Sequence, residues 1–201
     1  MRNKSFYPSK PLPRSFYQRS TLDVAPGLIG KILVRRYHGS FLAGMIVEVE
    51  AYHGFDDKAS HAYQRRSGRS EIMYNRGGIA YVYFTYGMYH CLNVVTEKEG
   101  YPAAVLIRAL EPIAGITTMH KLRGNPHTQQ LTNGPGKLCM ALHITKNENG
   151  IDLQSKELFI TRGRNIPSHL IGTSRRIGIS RSVENEWRYF LKGNPFVSHH
   201  R

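Results

Sequence analysis

The sequence predicts a single mixed α+β domain built on an antiparallel β-sheet. The chain has 201 residues, 40% of them hydrophobic and 21% charged, which is enough for one core without disulfides or metal. Most of the predicted strands follow one another without regular alternation with helices, a pattern typical of antiparallel sheets. No internal repeat or domain linker interrupts the chain. We therefore expect one domain over residues 21–201, preceded by a short arm.

The first twenty residues are predicted to form a basic, flexible arm. They contain five basic residues, three prolines and no acidic residue. The start has no apolar core of a signal peptide, and no run approaches the ~18 apolar residues of a membrane span. We expect no membrane partner, and a cytoplasmic location with nucleoid association if the source is bacterial. Cys91 and Cys139 lie in mixed apolar segments and are predicted to be buried, reduced thiols.

The elements follow from local patterns, taken in chain order. Ser20 precedes a predicted short helix, Thr21–Leu28, and two β-rich runs flank the turn His38-Gly39-Ser40 as a hairpin. Residues 53–79 are rich in Gly, Ser, Asp and Arg and are predicted to form a long loop. Pro112 is predicted to open a helix reaching about Leu122. The predicted strands are Lys31–Tyr37, Phe41–Tyr52, Ala80–Tyr86, Tyr89–Thr96, Ala103–Leu110, Leu158–Thr161, Arg176–Ser180 and Trp187–Lys192.

The second of these strands carries two carboxylates, Glu48 and Glu50, on one face. Strict alternation places Met45, Val47, Val49 and Ala51 on the opposite face. A carboxylate at a strand end beside a loop is suited to hold a water and remove its proton. Two alternatives remain open at this point: a solvated acidic strand face, and a glycosidase carboxylate pair, which more often comes from different elements.

The loop after this strand contains His53, Asp56, Asp57 and His61. These residue types bind several metals, but no spacing typical of a metal site is present, so we predict no metal. His61 is a better candidate for a polar or stacking wall of a pocket than for a ligand.

The segment Tyr81–Tyr89 is unusually rich in tyrosine. Tyr81 and Tyr83 point the same way on an extended strand, and Tyr52 lies near them if the two strands pair. Aromatic faces stack on nucleic-acid bases, and an aromatic at a turn, such as Tyr86 before Gly87, can wedge between base steps. The alternative is a half-buried aromatic sheet without a ligand.

The net charge of +14 arises from 28 Lys and Arg against 14 Asp and Glu, and it favours a polyanionic partner. Arg108 interrupts an apolar strand and must face a polar group, with phosphate, Glu50 and Glu111 as candidates. A Gly-Pro-Gly-Lys turn ending at Lys137 opens a predicted helix that runs to Leu142 and could bind phosphate. The loop arginines Arg65, Arg66, Arg69 and Arg76 add further positive charge. A carboxylate, aromatic plates and a basic surface together indicate an enzyme that extrudes and excises a nucleic-acid base.

These segments, taken in order, resemble the alkyladenine (3-methyladenine) DNA glycosylase family from about Leu28 to Ser198. The resemblance implies a single α+β domain with a curved antiparallel sheet and surrounding short helices, a monomer that acts on damaged purines in duplex DNA and needs no cofactor. The matching blocks are Glu48-Val-Glu50-Ala-Tyr52, Asp57, Ala59-Ser60-His61, Tyr81-Val-Tyr83, Tyr86-Gly-Met88-Tyr89, Cys91-Leu-Asn93, Leu106-Ile-Arg108-Ala-Leu-Glu111-Pro112, Gly134-Pro-Gly-Lys137-Leu-Cys139, Arg176-Ile-Gly178 and Gly193-Asn-Pro195-Phe-Val-Ser198.

The resemblance also implies roles for individual residues. Glu50 matches the residue that activates the hydrolytic water, and Arg108 matches a second holder of that water. The pocket walls that contact the extruded base correspond to Tyr52, His61 and Tyr83, and Asn93 matches the pocket floor that disfavours guanine. The residues that face DNA are Tyr86 as the wedge, Met88, Tyr89 and Lys137.

Two departures from the family pattern are His90, where an aromatic is common, and Met140, where a glutamine is common. Neither touches the matched catalytic set. Two other functions stay open: a catalytically silent nucleic-acid-binding module, and a glycosylase that also cleaves the DNA strand through a Schiff base on Lys137.

Overall fold

The structure is a computed structural model that describes residues 6–64, 66 and 68–198. Four short helices and eight strands form its regular part, together with four turns of 3₁₀ helix. The helices are α1 (Arg14–Tyr17), α2 (Thr21–Leu28), α3 (Ile116–Arg123) and α4 (Pro135–Ala141). The strands are β1 (Ile32–Tyr37), β2 (Ser40–Tyr52), β3 (Ala80–Thr85), β4 (Tyr89–Val95), β5 (Ala104–Ala114), β6 (Leu158–Thr161), β7 (Ile171–Ser174) and β8 (Arg188–Leu191).

All eight strands belong to one antiparallel sheet, and β2 is its centre. The main path runs β3-β4-β5-β2-β1-β6, while β8 pairs with β2 and with β7. Two strands pair with the same edge of β2: β1 pairs with residues 40–45, and β8 pairs with residues 48–50. Strand β5 covers the other edge of β2 over nearly its whole length. This division curls the sheet strongly, which confirms the predicted curved antiparallel sheet with short helices around it.

The alternation predicted along β2 is wrong at its middle. The register against β5 shifts between Ile46 and Glu48 and again between Glu48 and Val49, as at a β-bulge. Ile46 and Val49 therefore both face the main core, although they are an odd number of positions apart, and Val47 packs in a different cluster. Glu48 and Glu50 still share one side, as predicted, since the side chain of Arg108 contacts both carboxylates.

Two further predictions about elements are wrong. Pro112 does not open a helix: β5 continues through it to Ala114, at a register shift against β2 where a missing N–H is tolerated. The helix α3 begins only at Ile116, after Gly115 turns the chain with a φ of +73°. Residues 176–180 form no strand, and β7 ends at Ser174 instead. The other predicted strands, the helix at Thr21–Leu28 and the short helix after Gly134 are confirmed within one residue, except that β5 ends four residues after the predicted Leu110.

The main core lies between the sheet and helices α2 and α4. Cys91 and Cys139 are buried and unpaired, as predicted. The described part of the predicted arm, residues 6–20, contributes Leu12 and Tyr17 to this core, and Pro11 bridges to Thr161. The boundary at residue 21 stays a prediction. Within the described ranges, no helix has the length and apolarity needed to cross a membrane.

Candidate active site

The centre of the site is a row of residues that runs across five strands. Glu50 on β2 pairs with Arg188 on β8 and with Leu106 on β5. Leu106 in turn pairs with Asn93 on β4, and Asn93 pairs with Tyr81 on β3. Residues directly opposite one another in antiparallel strands point to the same face. The sheet thus brings together residues that are up to 138 positions apart in the sequence, counted from Glu50 to Arg188.

Glu50 is completely buried and has three donors. Its Oε1 accepts a hydrogen bond of 2.6 Å from the backbone N–H of Ile177 and lies 3.2 Å from Nη1 of Arg108. Its Oε2 accepts a bond of 2.9 Å from the hydroxyl of Tyr52. Among the described residues, Tyr52 is the one partner of Oε2, so this oxygen keeps acceptor capacity, whereas Oε1 has two donors. The solvated strand face considered for Glu48 and Glu50 is therefore wrong.

Arg108 joins the two carboxylates. Its Nε donates to Oε1 of Glu48 at 3.0 Å, while Nη1 faces Glu50. Burial by itself would lower the pKa of Arg108, but the nearby charges of Glu50 and Glu48 outweigh it and raise that pKa. The guanidinium therefore stays charged, and the predicted pairing of Arg108 with Glu50 is confirmed. Glu111, the other acidic candidate, instead accepts a bond from Asn194 at 2.7 Å.

Arg108 and Tyr52 open onto a pocket of about 480 Å³, which has room for a single nucleobase and part of its sugar. The pocket is lined by Tyr52, Lys58, Ala59, His61, Arg69, Met73, Tyr81, Tyr83, Thr85, Tyr86, Cys91, Asn93, Ala104, Leu106, Arg108, Pro135, Ile177, Gly178, Ile179, Ser180 and Arg181. All four residues predicted to contact the base are among them: Tyr52, His61, Tyr83 and Asn93. Glu50 lies directly behind Tyr52 and Arg108.

Three rings form an aromatic wall on one side of this pocket. His61 and Tyr83 stack edge to face with centroids 4.7 Å apart, and Tyr81 and Tyr83 lie 5.4 Å apart. The Nδ1 atom of His61 shares a hydrogen bond of 2.7 Å with the hydroxyl of Tyr81. Desolvation and the nearby Arg69 lower the pKa of His61 below 6.5, so the ring is neutral at pH 7. The wall therefore offers aromatic faces and a neutral imidazole to a ligand.

Asn93 and Cys91 lie on β4 at the bottom of the pocket. The side-chain amide of Asn93 donates to the backbone carbonyl of Tyr81 at 3.2 Å, which fixes its orientation across the β3–β4 pair. Cys91 lies opposite Tyr83 in the same pair, and burial raises the pKa of its thiol. The bottom of the pocket is thus formed by the polar amide of Asn93 and the neutral thiol of Cys91.

The rim of the pocket is positively charged. Lys58, Arg69 and Arg181 come from three different segments, all line the pocket, and all are exposed to solvent. Arg65, predicted to add charge here, lies outside the described residues. Cations around a concave site attract phosphate groups over long range.

The tip of the β3–β4 hairpin carries the residues predicted to face DNA. Tyr86 has a φ of +51°, and its side chain is 82% exposed while it still borders the pocket. Met88 is 62% exposed beside it, and Tyr89 is 38% exposed. Large apolar side chains projecting from a turn are available to a partner, and here they stand next to the pocket opening.

Lys137 lies on the first turn of α4, beside this hairpin. Its Nζ donates to Asn133 at 2.8 Å, and partial burial together with Arg123 lowers the pKa of Lys137. Gly136 packs against the ring of Tyr89 so closely that a Cβ there would lie 2.9 Å from the ring. Lys137 does not border the pocket, so it lies apart from Glu50 and Arg108.

Sequence reasoning missed the residues that hold the site together. Ser198, the last residue that the structure describes, donates from both its N–H and its hydroxyl to Glu48, each at 2.7 Å. Arg188 donates to the same carboxylate at 2.7 Å. A buried ion pair joins Arg176 to Asp57. No local pattern signals these long-range pairs, and residues 199–201 lie outside the described part of the chain.

The candidate metal ligands Asp57 and His53 contact other side chains of the protein instead. Asp57 forms an ion pair with Arg176, and the ring of His53 packs against the rings of Tyr101 and Trp187. Over the described ranges, no group of three or more histidine, cysteine or acidic side chains is arranged to hold a metal ion.

Comparison with known proteins agrees with this geometry. The sequence profile of the family described as Methylpurine-DNA glycosylase (MPG) matches residues 15–195. A protein of Clostridium acetobutylicum named "Putative 3-methyladenine DNA glycosylase" is 46% identical over 199 residues, 93% of this chain and 97% of the relative. Relatives with the same name from Chlorobium phaeobacteroides and Bacillus cereus are 44% and 48% identical, over 93% and 92% of this chain and 96% and 98% of their own lengths. The chain belongs to the methylpurine-DNA glycosylase family, and it is a DNA glycosylase, a hydrolase of N-glycosidic bonds.

Proposed function

We propose that this glycosylase excises alkylated and deaminated purines from duplex DNA, after flipping the damaged nucleotide out of the stack, with a water activated by Glu50. The observation that carries the proposal is a buried carboxylate directly behind a pocket sized for one nucleobase. Glu50 lies between Arg108 and Tyr52, both of which line the pocket.

Base flipping follows from the size and position of the pocket. A base inside a duplex is stacked and paired, so its glycosidic bond is out of reach until the nucleotide rotates outward. A damaged or mispaired base costs less to extrude, which favours lesions over normal pairs. Tyr86, exposed at the pocket edge, would fill the vacated space and offset the lost stacking. The charged rim formed by Lys58, Arg69 and Arg181 would hold the phosphates on either side.

The aromatic wall supports selection of purines that carry positive charge. Electron-rich faces such as that of Tyr83 in this wall, and that of Tyr52 elsewhere in the pocket lining, attract cations by cation–π interactions, and 3- and 7-alkylated purines are cationic. The neutral His61 beside them adds no repelling charge, because its pKa is lowered. Asn93 at the bottom of the pocket would disfavour the exocyclic amine of guanine. A neutral lesion such as hypoxanthine gains less from the wall and needs hydrogen bonds to its edge.

The hydrolytic step uses the spare acceptor on Oε2 of Glu50. Departure of the purine leaves positive charge on the sugar, as in other glycoside cleavage. A buried carboxylate stabilises that charge strongly, because little water screens it. A water placed between Oε2 and C1′ gives its proton to Glu50 as its oxygen bonds to C1′. Arg108 holds Oε1, so the carboxylate presents Oε2 to the water.

The experiment is base release from a duplex with one hypoxanthine or one 1,N⁶-ethenoadenine, measured under single-turnover conditions. Glu50→Gln should lower the rate by about 10²–10⁴-fold, the usual contribution of a positioned general base, while lesion binding is retained. The matched control is Glu184→Gln, the same chemical change at an exposed position outside the pocket lining, which should act like the wild type. Retained turnover in Glu50→Gln would refute the assignment.

The same samples separate the two other functions. Tight binding without base release from any lesion, 3-methyladenine included, would indicate a silent binding module. Trapping of a covalent DNA adduct with borohydride would indicate a Schiff base on Lys137. The position of Lys137 outside the pocket lining argues against the second outcome.

A further inference from the structure

Arg176 is buried beneath the pocket wall, between two aromatic rings. The centre of its guanidinium lies 4.7 Å from the ring centroid of Tyr52 and 5.1 Å from the ring of Trp187. Its side chain is fully buried, as is that of its partner, Asp57. A planar guanidinium can stack on rings and donate hydrogen bonds in its own plane at the same time, which an ammonium group cannot do.

The hydrogen bonds of Arg176 reach three segments of the chain. Nη1 and Nη2 bind the two oxygens of Asp57 at 2.5 and 2.8 Å, a bidentate pair. Nη1 also donates to the carbonyl of Ala51 at 2.9 Å, and Nη2 donates to the carbonyl of Ser182 at 3.3 Å. Its Nε is buried without a partner among the described residues, which costs stability. The hydrogen bonds of Arg176 thus hold three segments of the chain in place, although the unpaired Nε lowers the stability of the fold.

Two of the three partners of Glu50 depend directly on Arg176. Ile177, the next residue, donates its N–H to Oε1, and Tyr52, which stacks on the guanidinium, donates its hydroxyl to Oε2. The third partner, Arg108, comes from β5 and has no contact with Arg176. Arg176 is therefore linked to both oxygens of the Glu50 carboxylate, to Oε1 through Ile177 and to Oε2 through Tyr52. It does not bind Glu50 itself.

The same ion pair joins two loops of the pocket lining. Asp57 accepts bonds from the N–H groups of Ala59 and His53, and Lys58 donates its N–H to the hydroxyl of Ser182. Lys58 and Ala59 lie on one of these loops and residues 177–181 on the other, and all of them line the pocket. Both loops lack regular secondary structure at these positions, so side-chain contacts fix their geometry.

We infer that Arg176 is a positioning residue for the cleavage step: with Asp57 it holds Tyr52 and the Ile177 N–H so that Oε2 of Glu50 faces the water. This inference rests on the proposed role of Glu50. It assigns to the buried pair an effect on the rate of chemistry, beyond its effect on the fold.

The first test is Arg176→Lys, which keeps the charge and loses the bidentate fork and the flat stacking surface. The single-turnover rate on a hypoxanthine duplex should fall by roughly 10²-fold, the usual cost of displacing a catalytic group by about 1 Å. The dissociation constant for the lesion duplex should not change. The matched control is Arg35→Lys, which perturbs another largely buried pair, Arg35 with Glu148 at 2.7 Å, on β1 away from the pocket. That variant should cleave at the wild-type rate.

A second variant guards against misfolding. Arg176→Gln combined with Asp57→Asn removes both charges together, so no buried charge is left without its partner. We expect this pair to fold, to bind lesion DNA and to show the same loss of rate as Arg176→Lys. Far-UV circular dichroism and a thermal melt establish that each variant is folded at the assay temperature.

Glu50→Gln is measured in the same series, because it separates a failure of the positioning role of Arg176 from a failure of the proposed function. If both Arg176 variants cleave at the wild-type rate while Glu50→Gln is inactive, the inference is overturned and the proposed function stands. If Glu50→Gln retains turnover, the proposed function fails first. A weaker affinity with an unchanged rate, or an equal loss of rate in Arg35→Lys, also overturns the inference, because either would show a role in binding or stability alone.

Discussion

Glu48 and Glu50 lie two residues apart on the same strand, and their surroundings differ. Both are completely buried, and both contact Arg108. Glu48 receives four donors: Arg108, Arg188 and both the N–H and the hydroxyl of Ser198. Glu50 receives three, and its Oε2 is engaged by the Tyr52 hydroxyl alone within the described structure. In both carboxylates Oε2 has a single donor among the described residues, but for Glu50 that donor is Tyr52, which lines the pocket, and for Glu48 it is Ser198, which does not.

Under the proposed function, one strand provides both a structural carboxylate, Glu48, and a chemical one, Glu50. Glu48 holds four donors from three residues in place, and two of those residues, Arg188 and Ser198, do not line the pocket. Glu48 thereby fixes Arg108, and Arg108 in turn holds Oε1 of Glu50. A carboxylate with a spare acceptor beside a cavity can take a proton. The three predictions below test this division of roles, beginning with the largest effect.

Removal of the structural carboxylate should have the largest effect on stability. Glu48→Ala leaves Arg108 and Arg188 buried without their shared anion, and the free energy of unfolding should fall by about 3–5 kcal/mol. The midpoint of urea unfolding measures this loss, with Glu184→Gln as the exposed control. A loss no greater than that of the control would show that Glu48 is not the structural partner of the two arginines.

Removal of one donor from Glu50 should have a smaller effect, and on rate instead of stability. Tyr52→Phe keeps the ring that stacks on Arg176 and deletes the hydroxyl bonded to Oε2. A hydrogen bond to a charged group contributes about 1.5–3 kcal/mol, which corresponds to a rate roughly 10- to 100-fold lower. Single-turnover base release gives the rate, and a thermal melt should show little change. A wild-type rate would mean that the hydroxyl does not orient Glu50.

The smallest effect is expected in the pH dependence of stability. Burial alone would raise the pKa of Glu48, but Arg108 and the donors of Ser198 and Arg188 outweigh it and hold the pKa below its ordinary value of 4.5. A carboxylate with a lowered folded pKa contributes stability that is present above 4.5 and lost as the pH falls through the folded pKa. The difference in unfolding free energy between wild type and Glu48→Gln should therefore shrink below pH 4.5. A constant difference from pH 7 to pH 3 would contradict the account.

Local patterns in the sequence predict the sheet, and the family resemblance predicts most of the pocket. Alternating apolar residues and turn residues predicted the hairpins, and the family resemblance assigned Tyr52, His61, Tyr83 and Asn93 to one pocket, where the structure finds them together. The bulge in β2 was not predictable, since a register shift depends on the partner strand. Pro112 was misassigned for a related reason: its local preference for a helix start gave way to pairing with β2.

The supports of the site were missed because they join distant parts of the chain. Arg176 and Asp57 are 119 residues apart, and Ser198 and Glu48 are 150 apart. Side chains on loops show no periodicity, so nothing in the sequence alone relates the members of such pairs. The catalytic candidates, Glu50 and Arg108, lie on regular strands, whereas Asp57, Arg176 and Ser198, which contact their surroundings, lie on loops and at the end of the described chain.

The most direct measurement is the single-turnover rate of base release by Glu50→Gln and Glu48→Gln, side by side on the same hypoxanthine duplex, at a temperature where both are folded. The account predicts a loss of about 10²-fold or more for Glu50→Gln with a nearly unchanged melting temperature. For Glu48→Gln it predicts a lower melting temperature and a smaller loss of rate. Equal losses of rate in the two variants, or a larger loss in Glu48→Gln, would contradict the assignment of Glu50 as the base.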